Sequence, residues 1–240
     1  MVHPPVFISS DLLAIYTNIQ RLLHRPYTFP EIFHLYAIKP APTPNTNPLE
    51  YTPQNPTAPD SAVPQPISVA ALNAALPTKN LDLALDIIAT TSAAPAQRRA
   101  KLLKKALPPA VVIGAFPAVL FIGASQFAMT QSVLPTSTAL TVLFGGMLTY
   151  FGATGTLAYV TITTVNDHMV RVTWAQGVPL WERWVREEER AAVDRIVCAW
   201  GFKEEERWGE EEGAMWEELK EWAGSRAMIV DRTELMAGMQ

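Results

Sequence analysis

Between Ala106 and Asn166 the sequence reads ALPPAVVIGAFPAVLFIGASQFAMTQSVLPTSTALTVLFGGMLTYFGATGTLAYVTITTVN, and none of these 61 residues is charged. Two apolar stretches, 110–129 and 139–160, lie on either side of a short polar spacer that contains Pro135. A hydrocarbon core about 30 Å thick is crossed by about 20 apolar residues in a helix. Lipid satisfies no backbone polar group, so both stretches must be helical. The sequence predicts a two-helix transmembrane hairpin between soluble flanks.

A basic segment directly precedes the first apolar stretch. Its five cations are Arg98, Arg99, Lys101, Lys104 and Lys105. By the positive-inside rule, such a segment stays in the cytosol, or in the matrix if the membrane is mitochondrial. Because two spans return the chain to its starting side, we expect both termini in one compartment and only the spacer on the other.

Small residues repeat along one face of each predicted span. They are Gly114, Ala118 and Ser125 in the first span, and Gly145, Thr149, Gly152 and Thr156 in the second. Small faces allow helices to approach closely in lipid. Two interpretations are open at this point: the two faces pack on each other within the hairpin, or one of them docks a helix of a partner.

The flanks divide into segments of different composition, and the predicted fold class is mainly α with a small α+β C-terminal domain. Residues 1–39 predict amphipathic helices and a candidate targeting region. Nine of the twenty prolines lie in 40–66, which predicts an extended or disordered linker. Short helices and the basic juxtamembrane segment are predicted for residues 67–106. The hairpin is predicted for 107–160, and a charged, Trp-rich soluble domain for 161–240. Within that domain, β-branched residues predict strands at 160–165, 169–174 and 228–230.

All seven tryptophans lie between Trp174 and Trp222. The three that are nearest the second span, Trp174, Trp181 and Trp184, fit either a membrane-interface belt or a domain core. Further along the chain, Trp208, Trp216 and Trp222 do not share one helical stripe. We therefore expect some of these three to be exposed and to form part of a partner-binding surface.

Acidic runs at 187–189, 204–206 and 210–212 alternate with arginines. Consecutive glutamates point around a helix, so this pattern favours a solvated face with i,i+4 pairs over a metal site. A basic protein surface is the functional variant of that interpretation. Its candidate residues are Glu204, Glu205, Glu206, Glu210, Glu211 and Glu212.

No motif for catalysis or cofactor binding is present. The four histidines are scattered, and Cys198 lies in a helical pattern that predicts a buried thiol. We expect no catalytic residue, metal, cofactor or small-molecule substrate. Residues 167–240 carry seventeen acidic and ten basic side chains, which disfavours nucleic acid as a partner because its binding depends on neutralising phosphates. The expected partners are the lipid bilayer and a protein.

The basic approach 98–105, the hairpin 110–160, the β-like exit 160–174 and the Trp-rich tail resemble the small two-pass proteins of the mitochondrial inner membrane that tether ribosomes or assemble respiratory complexes. In that group the hairpin anchors the protein, and a matrix-side domain contacts the ribosome, a nascent subunit or an assembly intermediate. The resemblance implies a non-catalytic factor whose partner is a membrane-complex subunit or a ribosomal protein.

Alternatives to this interpretation remain open. For location, the alternative is the endoplasmic reticulum membrane, with both termini in the cytosol. For function, the alternatives are a subunit of an oligomeric transporter or channel, and an enzyme subunit whose catalytic partner is a separate polypeptide.

Overall fold

A computed structural model describes residues 7–42, 51–164 and 169–231. The chain is mainly helical (71%) with a few short strands, which confirms the predicted fold class at that level. The helices are α1 (Ser10–Leu22), α2 (Phe29–Ile38), α3 (Gln65–Ala75), α4 (Leu81–Thr90), α5 (Pro95–Lys101), α6 (Leu107–Thr130), α7 (Thr136–Thr164), α8 (Leu180–Val185), α9 (Glu187–Trp200) and α10 (Ala214–Ser225). The strands are β1 (Ala41–Pro42), β2 (Tyr51–Thr52), β3 (Val172–Trp174) and β4 (Met228–Val230), and a π-helical turn covers Leu102–Ala106.

Both flanks of the uncharged region belong to one compact unit, which we call the composite domain: residues 7–42, 51–101 and 169–231. The second unit, residues 102–164, is a helical hairpin inserted between the two parts of this domain. The composition of the flanks predicts a separate C-terminal domain, whereas in the structure α3 and α4 pack against α9. One such contact is the Trp200 indole, whose Nε1 donates to the carbonyl oxygen of Leu76 at 2.8 Å.

The N-terminal helices follow the signals in the sequence. The hydroxyl oxygen of Ser9 accepts from the backbone N–H of Leu12 at 3.2 Å and caps α1. Helix α2 begins at Phe29 with Pro30 in its first turn, where a missing N–H costs nothing. Phe29 and Phe33, one turn apart, are fully buried and stack with their ring centroids 5.9 Å apart.

The second half of the proline-rich stretch packs onto the composite domain, unlike the predicted linker. Residues 43–50 lie outside the described part of the chain. Beyond them, β2 pairs with β1, and the Ser61 hydroxyl donates to the carbonyl oxygen of Asn55 at 2.8 Å. Val63 is 3% exposed and belongs to the core. This turn and the burial of Val63 offset the cost of ordering a segment that composition alone assigns to a linker.

The composite domain also contains a two-stranded antiparallel sheet formed by β3 and β4. Val172 pairs with Val230, and Trp174 pairs with Met228. The strand at 228–230 is the one that the sequence predicts. The strand predicted at 160–165 is instead helix as far as Thr164, because α7 continues. The remainder of that predicted strand lies outside the described residues.

The hairpin is held together by an alanine and leucine face and by aromatic pairs. Buried side chains lie on α6 and at the start of α7, namely Leu120, Ala124, Ala128 and Ala139. Two edge-to-face ring pairs join the helices, Phe116 with Phe151 at 5.1 Å and Phe121 with Phe144 at 5.6 Å between centroids.

Among the described residues, one helical segment, Thr136–Ile162, is long and apolar enough to cross a membrane, and its apolar window is 0% buried. A shorter apolar helix covers Gly114–Thr130. The structure therefore shows a pair of apolar helices, and the second membrane span of the predicted hairpin is not shown.

Candidate functional site

Arg171, at the edge of β3, is the centre of a buried charge network. It is 2% exposed, and its Nη2 lies 2.8 Å from Oε1 of Glu211. On the other side, its Nε donates to Oδ1 of Asp231 at 2.7 Å. The rings of Trp208 and Trp216 lie 5.3 and 5.7 Å from the guanidinium carbon. Two carboxylates and two aromatic faces therefore surround one cation and replace its water.

Electrostatics lock these charges in their ionised states. Burial alone lowers the pKa of Arg171, but its hydrogen bonds to Asp231 and Glu211 outweigh burial and raise it. Burial alone raises the pKa of Glu211, but hydrogen bonds from Arg171 and from the backbone N–H groups of Phe202 and Gly209 lower it to about 2. The pair therefore stays charged across the physiological pH range.

Gly201 makes room for this network. A Cβ atom at this position would lie 1.9 Å from Nη1 of Arg171, 2.6 Å from Oε1 of Glu211 and 2.9 Å from the carbonyl oxygen of Val197. Within the described part of the chain, Nη1 has no hydrogen-bond partner. The close approach of backbone and guanidinium requires a residue without a side chain.

A second group of charges lies in the first turn of α9 and at Arg186, the residue directly before it. Oε1 of Glu187 lies 2.6 Å from Nη2 of Arg190, and Oε2 of Glu189 lies 3.0 Å from Nε of Arg186. Glu189 and Arg190 are 0% exposed, and Glu187 is 8% exposed. The predicted solvated face at 187–189 is therefore wrong for Glu187 and Glu189, because they receive cations from the core side.

Asp194 links this helix to the sheet. Its carboxylate accepts hydrogen bonds from the backbone N–H groups of Val170, Arg171 and Val172, at 3.2, 2.8 and 2.8 Å. Val172 is the first residue of β3, and Val170 and Arg171 directly precede it. One side chain thus satisfies three backbone donors where the strand begins.

Three of the five basic residues predicted to set membrane topology are tied into the composite domain. Nη2 of Arg98 lies 3.3 Å from Oε2 of Glu189, and Nζ of Lys101 lies 2.6 Å from Oε2 of Glu188. Arg99 donates to the Thr57 hydroxyl at 2.8 Å. The other two, Lys104 and Lys105, are exposed in the π-helical turn.

The predicted acidic candidates separate into two groups. Glu204, Glu205, Glu206, Glu210 and Glu212 are exposed, as a partner-binding surface requires. Glu211 is 7% exposed and binds Arg171, so its side chain is internal. Sequence reasoning missed three exposed acids on α10, although they lie within the same stretch of chain. We call the exposed set the acidic surface: Glu204, Glu205, Glu206, Glu210, Glu212, Glu217, Glu218 and Glu221.

Of the three tryptophan candidates, one is buried and two are half-buried. Trp216 is 5% exposed and packs on Arg171, so it offers nothing to a partner. Trp208 is half-buried, and its Nε1 donates to the carbonyl oxygen of Phe202 at 3.1 Å. Trp222, also half-buried, lies 3.8 Å beneath the Arg226 guanidinium carbon. The interface belt suggested for the first three tryptophans does not fit Trp174, which is 6% exposed in the core.

Trp184 and Trp181 complete this set. Trp184 lies under Lys101, whose Nζ is 5.0 Å from the ring centroid. Trp181 is 55% exposed.

The small-residue faces of the hairpin do not meet. The predicted residues Gly114, Ala118, Gly145, Thr149, Gly152 and Thr156 are exposed, and Ser125 is half-exposed. A Cβ atom added at any of these three glycines would meet no atom within 4 Å. Packing of the two small faces on each other is therefore not what the structure has, because the aromatic and leucine side chains pair instead.

The described residues offer little else that could bind a ligand or react. No group of three His, Cys, Asp or Glu side chains there is placed to hold a metal ion. Cys198 is exposed, contrary to the predicted burial, and partial desolvation together with Asp194 raises its pKa to about 11. A shallow groove lined by Ser68, Thr91 and Arg195 holds about 20 Å³, which is space for a water molecule.

Two features of the described surface therefore stand out: the acidic surface of the composite domain and the outward apolar faces of the hairpin. The internal charges satisfy one another and leave little for a ligand. Comparisons with protein-family models, with curated proteins and with solved structures find no match to this chain.

Proposed function

We propose that this chain is a non-catalytic membrane-anchored assembly or tethering factor, whose hairpin crosses a bilayer twice and whose composite domain binds a basic protein. The observation that carries the proposal is that both flanks of the hairpin belong to one domain. Because a folded domain lies on one side of a bilayer, a chain segment that leaves the domain and returns to it must cross the bilayer an even number of times.

Helix length supports two crossings. The segment Thr136–Ile162 of α7 meets the requirement for one span. The other crossing then falls to α6, whose 24 residues extend about 36 Å at about 1.5 Å each, against a hydrocarbon core of about 30 Å. Neither helix carries a charge that opposes insertion.

The outward side chains of the hairpin also fit lipid. Val119, Phe127, Leu157 and Ile162 are each 60% exposed or more. Monomeric soluble proteins rarely expose large contiguous apolar patches, because water disfavours them. Acyl chains cover such a surface without any specific partner.

Location follows from the charges that remain exposed beside the hairpin. Lys104 and Lys105 favour retention of the composite domain on the cytoplasmic or matrix side. We place the protein in the mitochondrial inner membrane with both termini in the matrix. The endoplasmic reticulum membrane, with the termini in the cytosol, is the alternative.

The partner is inferred from the acidic surface. Eight exposed carboxylates between 204 and 221 outnumber the three cations in or next to the same stretch, Lys203, Arg207 and Lys220. Two of the eight are paired, Glu210 with Arg207 and Glu217 with Lys220. The other six leave the surface with a net negative charge. Such a surface steers a positively charged partner and selects against acidic ones. A basic face of a ribosomal protein or of a membrane-complex subunit has the complementary charge, and nucleic acid does not.

A charge-neutralised variant tests this assignment. Glu204, Glu205, Glu206, Glu210 and Glu212 are replaced by Gln in the full chain, and partners are captured by crosslinking in intact membranes. The matched control neutralises Asp82 and Asp86, which are exposed acids on α4. We expect the native chain and the control to capture the same basic protein and the variant to lose it. Equal capture by all three, or no specific partner for any, contradicts the proposal.

A second candidate function rests on the open small face of α7. Because Gly145, Thr149, Gly152 and Thr156 are not covered by α6, they can accept a helix from another copy, as a subunit of an oligomeric transporter or channel would require. Crosslinking through Gly152→Cys in a Cys198→Ser background tests this. Dimers and higher oligomers support it, and monomers alone contradict it.

A further inference from the structure

Helix α1 is apolar on two opposite sides. Leu13 and Thr17 point into the core and are 0% and 1% exposed. On the opposite side, Ile15, Ile19 and Leu22 are 57%, 48% and 74% exposed. Residues at i, i+4 and i+7 share one face of a helix, so these three form a continuous outward stripe. A helix that faced only water would carry polar residues there.

The stripe continues past the end of the helix, and its C-terminal end has a basic rim, whereas the exposed Asp11 lies beside its N-terminal end. Leu23 is 55% exposed and Tyr27 is 64% exposed. Arg21 and Arg25 are exposed beside them, and within the described part of the chain neither arginine forms an ion pair. Aliphatic side chains, a tyrosine with a polar tip and unpaired guanidinium groups are the combination that binds headgroups and the outer part of the acyl chains.

We propose that the outward stripe of α1 (Ile15, Ile19, Leu22, Leu23 and Tyr27) lies on the surface of an anionic bilayer. This inference rests on the proposed function, because the hairpin keeps the composite domain at the membrane and makes α1 docking intramolecular. The basic rim supplies the charge complementarity, since anionic lipid attracts juxtamembrane arginines. A protein groove is the other kind of cover, and the test separates it from lipid.

The experiment uses the full chain in sealed vesicles of phosphatidylcholine, with or without phosphatidylglycerol. In a Cys198→Ser background, single nitroxide labels are placed at Ile19→Cys on the stripe, at Asp86→Cys on α4 and at Val119→Cys on α6. Oxygen, which partitions into lipid, and a water-soluble nickel chelate then report the surroundings of each label. All three positions are exposed in the structure, so labelling does not disturb the core.

With anionic lipid, we expect the Ile19 label to lie about 5–10 Å below the headgroups, accessible to oxygen and protected from nickel. The Asp86 label stays accessible to nickel. Replacing Arg21 or Arg25 with Gln lowers the ratio of docked to undocked α1 by about fivefold for each arginine. Omitting phosphatidylglycerol also shifts the Ile19 label towards water, as the arginine substitutions do.

Three outcomes overturn the inference. If the Ile19 label is as accessible to nickel as the Asp86 label while the Val119 label is in hydrocarbon, α1 does not dock although the anchor holds. If the Val119 label is also accessible to nickel, the proposed function fails as well. If the Ile19 label is shielded from both reagents, a protein covers the stripe instead of lipid.

Discussion

The composite domain and the hairpin distribute polar and apolar groups in opposite ways. In the composite domain, Arg190 and Glu189 are 0% exposed, surrounded by partners. In the hairpin, Phe127 and Leu157 are 60% and 68% exposed, with no protein over them. Charged side chains are buried in the composite domain, whereas apolar side chains are exposed on the hairpin.

Composition is therefore more informative about the hairpin, whose side chains are uniformly apolar, than about where the charges of the composite domain lie. An exposed apolar surface is unfavourable in water, and lipid is the cover that the proposed function assigns to it. A charge can be favourable in water or when paired in the interior, where removing one partner is costly. The following changes test whether the two units respond as this contrast requires.

The largest effect is expected from removing the central cation. Arg171→Ala leaves Glu211 and Asp231 buried without their partner, and we expect the free energy of unfolding of the composite domain to fall by about 3–5 kcal/mol. Urea unfolding of the full chain in micelles, followed by tryptophan fluorescence, reports this domain alone because all seven tryptophans lie in it. Lys220→Ala, at a partly exposed ion pair with Glu217, is the control and should cost less than about 1 kcal/mol. Equal losses in the two variants contradict the buried network.

Gly201→Ala tests the space beside the same guanidinium. The new methyl group overlaps Nη1 of Arg171 and a backbone oxygen, so we expect a loss of about 2–3 kcal/mol. The matched control is Gly224→Ala in α10, where no atom lies within 4 Å and alanine favours the helix by up to about 1 kcal/mol. The two substitutions should therefore differ in sign. Stabilisation by both shows that Gly201 is not a close approach.

Acid weakens the network in a defined pH range. Glu211 has a pKa of about 2 in the folded domain against an ordinary value of 4.5, so its contribution is complete above about pH 4.5 and is lost as the pH falls towards 2. At neutral pH, Glu211→Gln should lower the free energy of unfolding by about 1–3 kcal/mol. We expect this difference from the native chain to shrink steadily between pH 4.5 and 2. A difference that is constant over that range contradicts the ionised pair.

The smallest contrast concerns the hairpin itself. Ala124 of α6 is 0% exposed, whereas Ala118 on the same helix is exposed. Ala124→Leu should therefore cost about 1–3 kcal/mol by overpacking, and Ala118→Leu less than about 0.5 kcal/mol. Titration of the purified protein with SDS, followed by far-UV circular dichroism, measures the difference. The reverse ranking would restore the predicted small-residue interface.

Local signals in the sequence predict much of the fold. Ser9 caps the first helix, Pro30 opens the second, and the strand at Met228–Val230 is visible as an apolar β-branched run. The absence of charge between 106 and 166 identifies the hairpin. Each of these features depends on residues a few positions apart, which is the range over which sequence patterns are informative.

The long-range part of the charge network could not be predicted in this way. Arg171 meets Asp231 across 60 positions, and Arg98 meets Glu189 across 91. The pairs of Glu187 with Arg190 and of Glu189 with Arg186 span only three residues, but their burial depends on the fold. The sequence also did not show which faces of the two hairpin helices pack together. Large aromatic side chains that pair across the helices outweigh a stripe of small residues. The exposed acids at 204–206 were recognisable, since their sequence neighbours are polar.

Cysteine accessibility can show whether the hairpin crosses a bilayer twice. Val133, in the spacer, is 87% exposed, and Asp86, in the composite domain, is also exposed. Each is replaced by Cys in a Cys198→Ser background and labelled with a membrane-impermeant maleimide in sealed membranes, before and after opening with detergent. We predict that the two positions are labelled from opposite sides, so that in sealed membranes only one of them reacts. Labelling of both from the same side would contradict a hairpin that spans the membrane.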